Sequence, residues 1–336
     1  MRPSRGLILF LLANLIVIGV LVHSVFTLIT LLFEDCSADA IPAIEIPPPE
    51  NAAEIAKRPQ YIPRIIHQTW ANESIPEKWQ EAQKSCLNLH GDYEYKLWTN
   101  EKSRQFIKDE YPWFLDTYDA YPYPIMRADA IRYFILSHYG GIYIDLDDGC
   151  HRRLDPLLSY HAWLRKTVPT GISNDAMGAV PGHPFFKQVI SQLKSYQRNW
   201  QVPYITVMYN TGPLFLSVVW KEYISTVVDE ESRVRILMPD EYNTKPWSFF
   251  GVYKGSSWHR NDAKAIFWMG QHWLLITCAG FALAATLYVC GFYTYKRMHL
   301  RSNASYTAPP AGGFVWPWNG WTWSRGGYRR LPRHAV

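Results

Sequence analysis

A chain of 336 residues has room for one large domain and additional segments, and its 34 basic and 29 acidic side chains give a formal charge of +5. The excess of base lies at the ends: nine Lys and Arg residues before Gly6 or after Tyr295 have no acid among them, which leaves 25 bases against 29 acids, about −4, for everything between. Proteins that bind nucleic acid concentrate base on the folded domain, so this balance excludes nucleic acid as a partner.

In chain order, residues 1–6 form a short basic end with Arg2 and Arg5, followed by an uncharged run from Leu7 to Phe33. That run (7–33) is longer than the roughly 20 residues a helix needs to cross a bilayer. It is also too long for the apolar core of a signal peptide, roughly 7–15 residues, so it reads as a transmembrane signal anchor. Residues 34–60 contain Pro47-Pro48-Pro49 and read as an extended stem that lifts a domain off the membrane. A second apolar run, 266–295, carries Trp268, Trp273, Tyr288, Tyr293 and Tyr295 near its ends and is expected to span as well. The basic, Trp-rich tail 296–336 then lies beside anionic headgroups in the cytosol, with the other terminus on the same side and the intervening domain lumenal.

The folded region is expected over 61–262. Its first strand is Arg64–His67, followed by a helix around Pro76–Leu87, an alternating strand Tyr93–Trp98 and a helix from about Glu101 to Glu110. An amphipathic helix over Met126–Tyr139 stops at Gly140-Gly141, and the short buried strand Ile142–Ile144 runs straight into Asp145-Leu146-Asp147-Asp148. Strands alternating with helices argue for an α/β fold built on a mainly parallel sheet. Of the five cysteines, Cys278 and Cys290 fall in the second apolar run; Cys36, Cys86 and Cys150 cannot all pair with one another, and their spacing does not choose among them. Asn72-Glu73-Ser74 is a glycosylation sequon on the expected lumenal side.

Two carboxylates one residue apart at the end of a buried strand, Asp145 and Asp147, can together hold a hard divalent cation, Mn²⁺ or Mg²⁺. In an open α/β sheet ligands bind at such strand ends. Asp-x-Asp alone is more often a solvated turn. An EF-hand loop is ruled out because Gly149 and Pro156 stand where ligating acids are needed.

Three strings carry a resemblance: Met126-Arg127-Ala128-Asp129-Ala130-Ile131-Arg132-Tyr133, Tyr139-Gly140-Gly141-Ile142-Tyr143-Ile144-Asp145-Leu146-Asp147 and Leu154-Asp155-Pro156-Leu157. With Pro63-Arg64-Ile65-Ile66-His67-Gln68-Thr69-Trp70, they strongly resemble the glycosyltransferase family, family 32, whose signature is a sugar-binding region containing a DxD motif. Gly255-Ser256-Ser257-Trp258-His259 and the second span resemble the fungal mannosyl phosphorylinositol ceramide synthases within it. The resemblance implies a GT-A-type, Rossmann-like domain that uses GDP-mannose, keeps the anomeric configuration, mannosylates inositol phosphorylceramide in the Golgi membrane and leaves room for a separate regulatory membrane subunit. It implies that Asp129 and Arg132 clamp the sugar; an intrahelical ion pair is the plainer reading of two residues three apart. It further implies that His67, Gln68, Thr69, Trp70 and Trp98 touch the nucleotide and that Asp175 stands beside the reacting sugar. Ser257 and Trp258 would close over the donor, with His259 completing the metal shell. A mannosyltransferase that extends protein-linked glycans would share these motifs; against a non-catalytic membrane subunit with the same fold stand the intact Asp145, Asp147, Asp129 and Arg132.

Protease added to sealed vesicles should therefore remove the tail beyond Lys296 and spare the domain, and Asn72 should carry glycan. A protected C-terminus would mean that the second apolar run does not span.

Overall fold

The computed structural model describes residues 5–46, 57–168, 170–226, 229–242, 245, 247–253, 255 and 261–306. The Pro47–Pro49 run, the last 30 residues and the expected closing segment with Ser257, Trp258 and His259 lie outside that set.

Six strands form the main sheet: β1 (Ile65–Thr69), β2 (Glu94–Trp98), β3 (Gly141–Ile144), β5 (Ala162–Lys166), β6 (Ile172–Ala179) and β7 (Val234–Leu237), in the order β2-β1-β3-β6-β5-β7. β1 pairs in parallel with β2 and β3, and β5 with β7, while β6 is antiparallel to both β3 and β5. The sheet is mixed rather than simply parallel, with β6 the one reversed strand. β4 (Asp148–Cys150) pairs with β8 (Phe250–Val252) in a separate antiparallel ribbon.

Both faces of the sheet are covered, and the period-two pleat decides which side chain goes where. On β3, Tyr143 joins a core with Phe134, Phe186 and Trp220, whereas Ile142 and Ile144 join a second core with Trp163, Leu157 and Phe250. On β5, Ala162 and Leu164 face the first core and Trp163 the second.

The helix before β3 runs Pro124–Tyr139, with proline in its first turn. It is not amphipathic as its sequence suggested: from Asp129 to Ser137 every residue is buried, because the helix is packed on several sides. It ends at Gly140 (φ 64°) and Gly141 (φ 92°), where a side chain at 140 would strike Pro181 and one at 141 the Ile65 carbonyl. Only glycine takes that conformation without strain, and the turn lets β3 lie directly against β1.

The first apolar run is bent rather than one straight helix. It forms helices Arg5–Ser24 and Phe26–Leu32, bent by 60° at Val25. The stem reading also needs correction over residues 34–46. Cys36, Ile41 and Ile46 are buried, Ile41 N–H donates to the Ile236 carbonyl at 2.9 Å, and Ala40 bridges Ile236 in parallel. Asp39 pairs with Arg233 at 2.8 Å and Glu45 accepts from Tyr160 at 2.8 Å. The segment covers the open edge of β7, a row of unpaired backbone groups, instead of standing free as a spacer.

The C-terminal unit contains the helix Trp273–Tyr306, of which Trp273–Met298 is long and apolar enough to cross a membrane. The helix Asn261–Gln271 ends just before it, so the continuous segment starts later than the expected Ile266.

Cys86 and Cys150 form a disulfide 64 residues apart, tying the helix Glu77–Leu89 to β4, while Cys36 is free and buried. Replacing both paired cysteines by serine should lower stability by about 2–5 kcal/mol, since an open loop of this length restores entropy to the unfolded chain. The midpoint of urea unfolding in detergent measures it.

Candidate active site

The carboxyl ends of β1, β2 and β3 come together at one cleft of about 300 Å³. Thr69 and Trp70 reach it from the end of β1, Trp98 from β2, and Asp145 and Asp147 from the turn after β3. Arg132 lines it from the neighbouring helix, and Trp79, Asn100, Ser103 and Tyr118 complete the wall nearby. Trp70 and Trp79 meet edge to face at 4.9 Å, and the Trp70 indole N–H donates to the Ser74 carbonyl at 3.1 Å.

Four backbone hydrogen bonds and contacts fix the acidic turn. The Asp145 N–H donates to the Asp175 carbonyl at 2.7 Å and the Asp148 N–H to the Asp145 carbonyl at 3.0 Å. The Tyr253 N–H donates to the Asp147 carbonyl at 2.7 Å, so the strand β8 returns the late chain to the turn. Gly255 follows, so close to the Asp147 carboxylate that any side chain at 255 would overlap it. Leu146 is buried while its two acidic neighbours stay partly open to the cleft.

Arg132 is almost wholly buried and engaged on every side. It pairs with Asp129 at 3.1 Å and Asp145 at 3.3 Å, donates to the Asn174 carbonyl at 2.7 Å and lies 4.7 Å from the Tyr143 ring centroid. The intrahelical ion pair is therefore present. Asp129 does not reach the cleft as a sugar clamp: one oxygen accepts from Asn174 at 3.0 Å and the other from Thr211 at 3.1 Å, deep beneath the site. Burial raises its carboxyl to about 6, with Arg132 pulling the other way. Asp129 braces Arg132.

His67 and Gln68 also turn away from a nucleotide role. The Trp98 indole N–H donates to His67 Nδ1 at 3.1 Å, which leaves Nε2 to donate to the Gly140 carbonyl at 2.8 Å. Both ring nitrogens are used in tying β1 and β2 to the glycine turn, and burial holds the imidazole neutral, its pKa pushed down to about 4. Gln68 is fully buried and accepts from the Tyr95 hydroxyl at 3.0 Å. Asp175 is partly exposed, 3.5 Å from the Arg165 guanidinium, with its carbonyl bound by the Asp145 N–H, and it is not among the residues that line the cleft.

Tyr143, Asp148 and Arg165 were not singled out by sequence. The Tyr143 hydroxyl donates to Asp145 at 2.6 Å and so accepts from the Thr69 hydroxyl at 2.8 Å. Arg165 pairs with Asp148 at 2.6 Å, both buried. The available signals were a tyrosine between two isoleucines in a buried strand and an arginine directly after the apolar Ala162-Trp163-Leu164 of a buried strand, since buried polar groups need partners.

The donor set fits a divalent cation. Five carboxylates (Asp129, Asp145, Asp147, Asp148 and Asp175) face only two guanidiniums, Arg132 and Arg165, among the described residues. Burial raises Asp145 to about 7, Arg132 opposes that rise, and Asp147 adds to it. Among the described residues no three His, Cys, Asp or Glu side chains gather as a complete metal cage. Mn²⁺ or Mg²⁺ bound by two carboxylates with substrate phosphates and water needs none.

The family described as "Glycosyltransferase sugar-binding region containing DXD motif" matches residues 76–163. Mannosyl phosphorylinositol ceramide synthase CSH1 of Saccharomyces cerevisiae is 53% identical over 281 residues, 83% of this chain and 75% of that protein. SUR1 of the same name and organism is 52% identical, covering 80% and 69%. The chain belongs to this glycosyltransferase family. Inositol phosphoceramide mannosyltransferase 3 of Schizosaccharomyces pombe is 54% identical over 66% of this chain and 62% of that protein. Among solved structures, the PaToxG glycosyltransferase matches with a TM-score of 0.38 and 17% identity, over 52% of this chain and 75% of that one.

The geometry separates two kinds of acid in this glycosyltransferase. Asp129→Ala should cost about 3 kcal/mol or more by stranding a buried guanidinium, whereas Asp147→Asn should change stability by no more than about 1 kcal/mol. Urea unfolding of the two variants, read by near-ultraviolet circular dichroism, distinguishes them.

Proposed function

We propose that the chain moves mannose from GDP-mannose to the inositol of inositol phosphorylceramide, with retention at the anomeric carbon. What carries this reading is the cleft itself, where both DxD carboxylates open between tryptophans at the strand ends in a chain 53% identical to a mannosyl phosphorylinositol ceramide synthase.

Asp145 and Asp147 would hold a divalent cation, which supplies Lewis-acid neutralisation of the donor diphosphate when bound. The chain's own residues prepare that site. Arg132 and the Tyr143 hydroxyl fix the Asp145 carboxylate, and the Asp175 carbonyl and Tyr253 amide fix its turn. Trp70 and Trp98 offer flat faces for the guanine and exclude water beside it. Ser257, Trp258 and His259 follow Gly255 within four residues, and Gly255 abuts Asp147; this adjacency supports their closing over the donor.

In the transfer, an inositol hydroxyl oxygen bonds to C1 of mannose as the bond from C1 to the β-phosphate oxygen breaks. GDP departs, and the hydroxyl proton passes to the departing oxygen on the same face. Among the described residues no side chain of the cleft stands out as a covalent nucleophile, which favours same-face attack, where positioning supplies much of the rate. A Golgi location with the domain lumenal, both termini cytosolic and a separate regulatory subunit belongs to the same proposal. The apolar helix Trp273–Met298 supports membrane anchoring.

Incubating the purified full chain with GDP-mannose, Mn²⁺ and inositol phosphorylceramide should give a product one hexose heavier by mass. Asp147→Asn or excess chelator should reduce that product at least about a hundredfold, the scale of losing a transition-state charge partner. Removing residues from Trp273 onward should reduce lipid transfer more than GDP-mannose hydrolysis, because membrane confinement raises the effective concentration of a lipid acceptor. Transfer to soluble mannosides with none to the lipid would favour the glycan-extending alternative.

A further inference from the structure

The helix Phe26–Leu32 has one side committed to the domain. Leu31 is only 4% exposed, its carbonyl accepts from the Thr170 hydroxyl at 2.5 Å, and just beyond it Glu34 pairs with Lys221 and the Asp35 carbonyl accepts from Lys166 at 2.5 Å. Its other side has no partner among the described residues. Phe26 is 57% exposed, Leu32 67% and the following Phe33 84%. Val168 lies two residues before Thr170, whose hydroxyl reaches the Leu31 carbonyl, and is itself 71% exposed. A short stretch thus shows water a row of large apolar side chains on an element otherwise fastened to the catalytic unit. A patch of this kind marks a binding surface.

What covers it follows from what precedes it. The helix Arg5–Ser24 has 20 residues, a length of about 30 Å, which matches the hydrocarbon thickness of a bilayer by itself. With that helix as the crossing, the chain leaves the hydrocarbon near Ser24 and residues 26–33 follow it. At Val25 it turns by 60°. With the first helix along the membrane normal, the second lies about 30° from the membrane plane, the attitude of an interfacial helix with its apolar side at the boundary of headgroups and acyl chains.

We infer that Phe26–Phe33, together with Val168, forms a monotopic surface that seats the catalytic unit directly on the leaflet into which the first helix emerges. The partner is the phospholipid interface, and the strap from Glu34 to Ile46, fastened to the domain through the buried Cys36, Ile41 and Ile46, makes that seating rigid rather than tethered. This inference rests on the first helix crossing the membrane and is independent of the donor and acceptor proposed above.

A photo-reactive benzophenone amino acid placed singly at Phe26, Ile29 or Phe33 in the full chain, reconstituted in phosphatidylcholine–phosphatidylserine vesicles, tests it by mass spectrometry after irradiation. Ile16 is the reference inside the helix and Ser37 the reference outside it. Phospholipid adducts at 26 and 33 should approach those at Ile16 and exceed those at Ser37 several-fold. Adducts at Ile16 with none at 26, 29 and 33 overturn the inference while leaving the anchor intact. Cross-links from these positions to a second copy of the chain overturn it in favour of a dimer surface. No adduct at Ile16 either removes the anchor and the inference together.

Discussion

A guanidinium taken out of water must be matched in several directions at once, and the candidate site is arranged around that requirement at Arg132. Its partners come from four parts of the chain: Asp129 on its own helix, the Tyr143 ring on β3, Asp145 in the acidic turn and the Asn174 carbonyl on β6. Losing one of them leaves a charge with nowhere to go, so the group locks helix, sheet and turn into one arrangement. The Asp145 carboxylate receives its orientation from this group and from Tyr143 before any ligand arrives.

The same logic explains why acid accumulates at this point. Arg132 and Arg165 each bind a carboxylate completely enclosed by protein, and the remaining negative charge is left on Asp145 and Asp147 at the cleft and on Asp175 nearby. In water these acids would repel each other weakly; next to a low-dielectric core their repulsion is larger and calls for a mobile cation. The glycosyltransferase thus has a fixed inner layer of charge that is balanced and an outer layer that is not.

Much of this was readable in advance. The strands around His67, Leu97 and Tyr143, the helix leading to Gly140-Gly141 and the acids at a strand end all announced themselves through periodicity, glycine and charge. What sequence could not give was direction. Asp129 and Arg132 share a helix face, but only the packing of the Pro124–Tyr139 helix on several sides reveals that Asp129 points into the core and Arg132 bridges to the cleft. His67 carries the right chemistry for a ligand, and its neutral, doubly bonded state depends on Trp98 and Gly140, residues distant in sequence. The reversal of β6 is likewise set by long-range pairing, not by local pattern. The stem looked extended because prolines recur from Pro42 to Pro59, while the apolar Ile41 and Ile46 that fasten it are too sparse to show a period.

The late return of β8 has a consequence for biosynthesis. Every strand of the main sheet has been made once Leu237 leaves the ribosome, yet the acidic turn still lacks the amide of Tyr253 and the backbone of Gly255. A nascent chain can therefore assemble a nearly finished domain whose acids are not yet held in place. The backbone contacts that hold the acidic turn arrive only with Tyr253 and Gly255, shortly before the apolar helix Trp273–Met298, so a chain terminated ahead of them would carry a folded sheet and an unfinished turn.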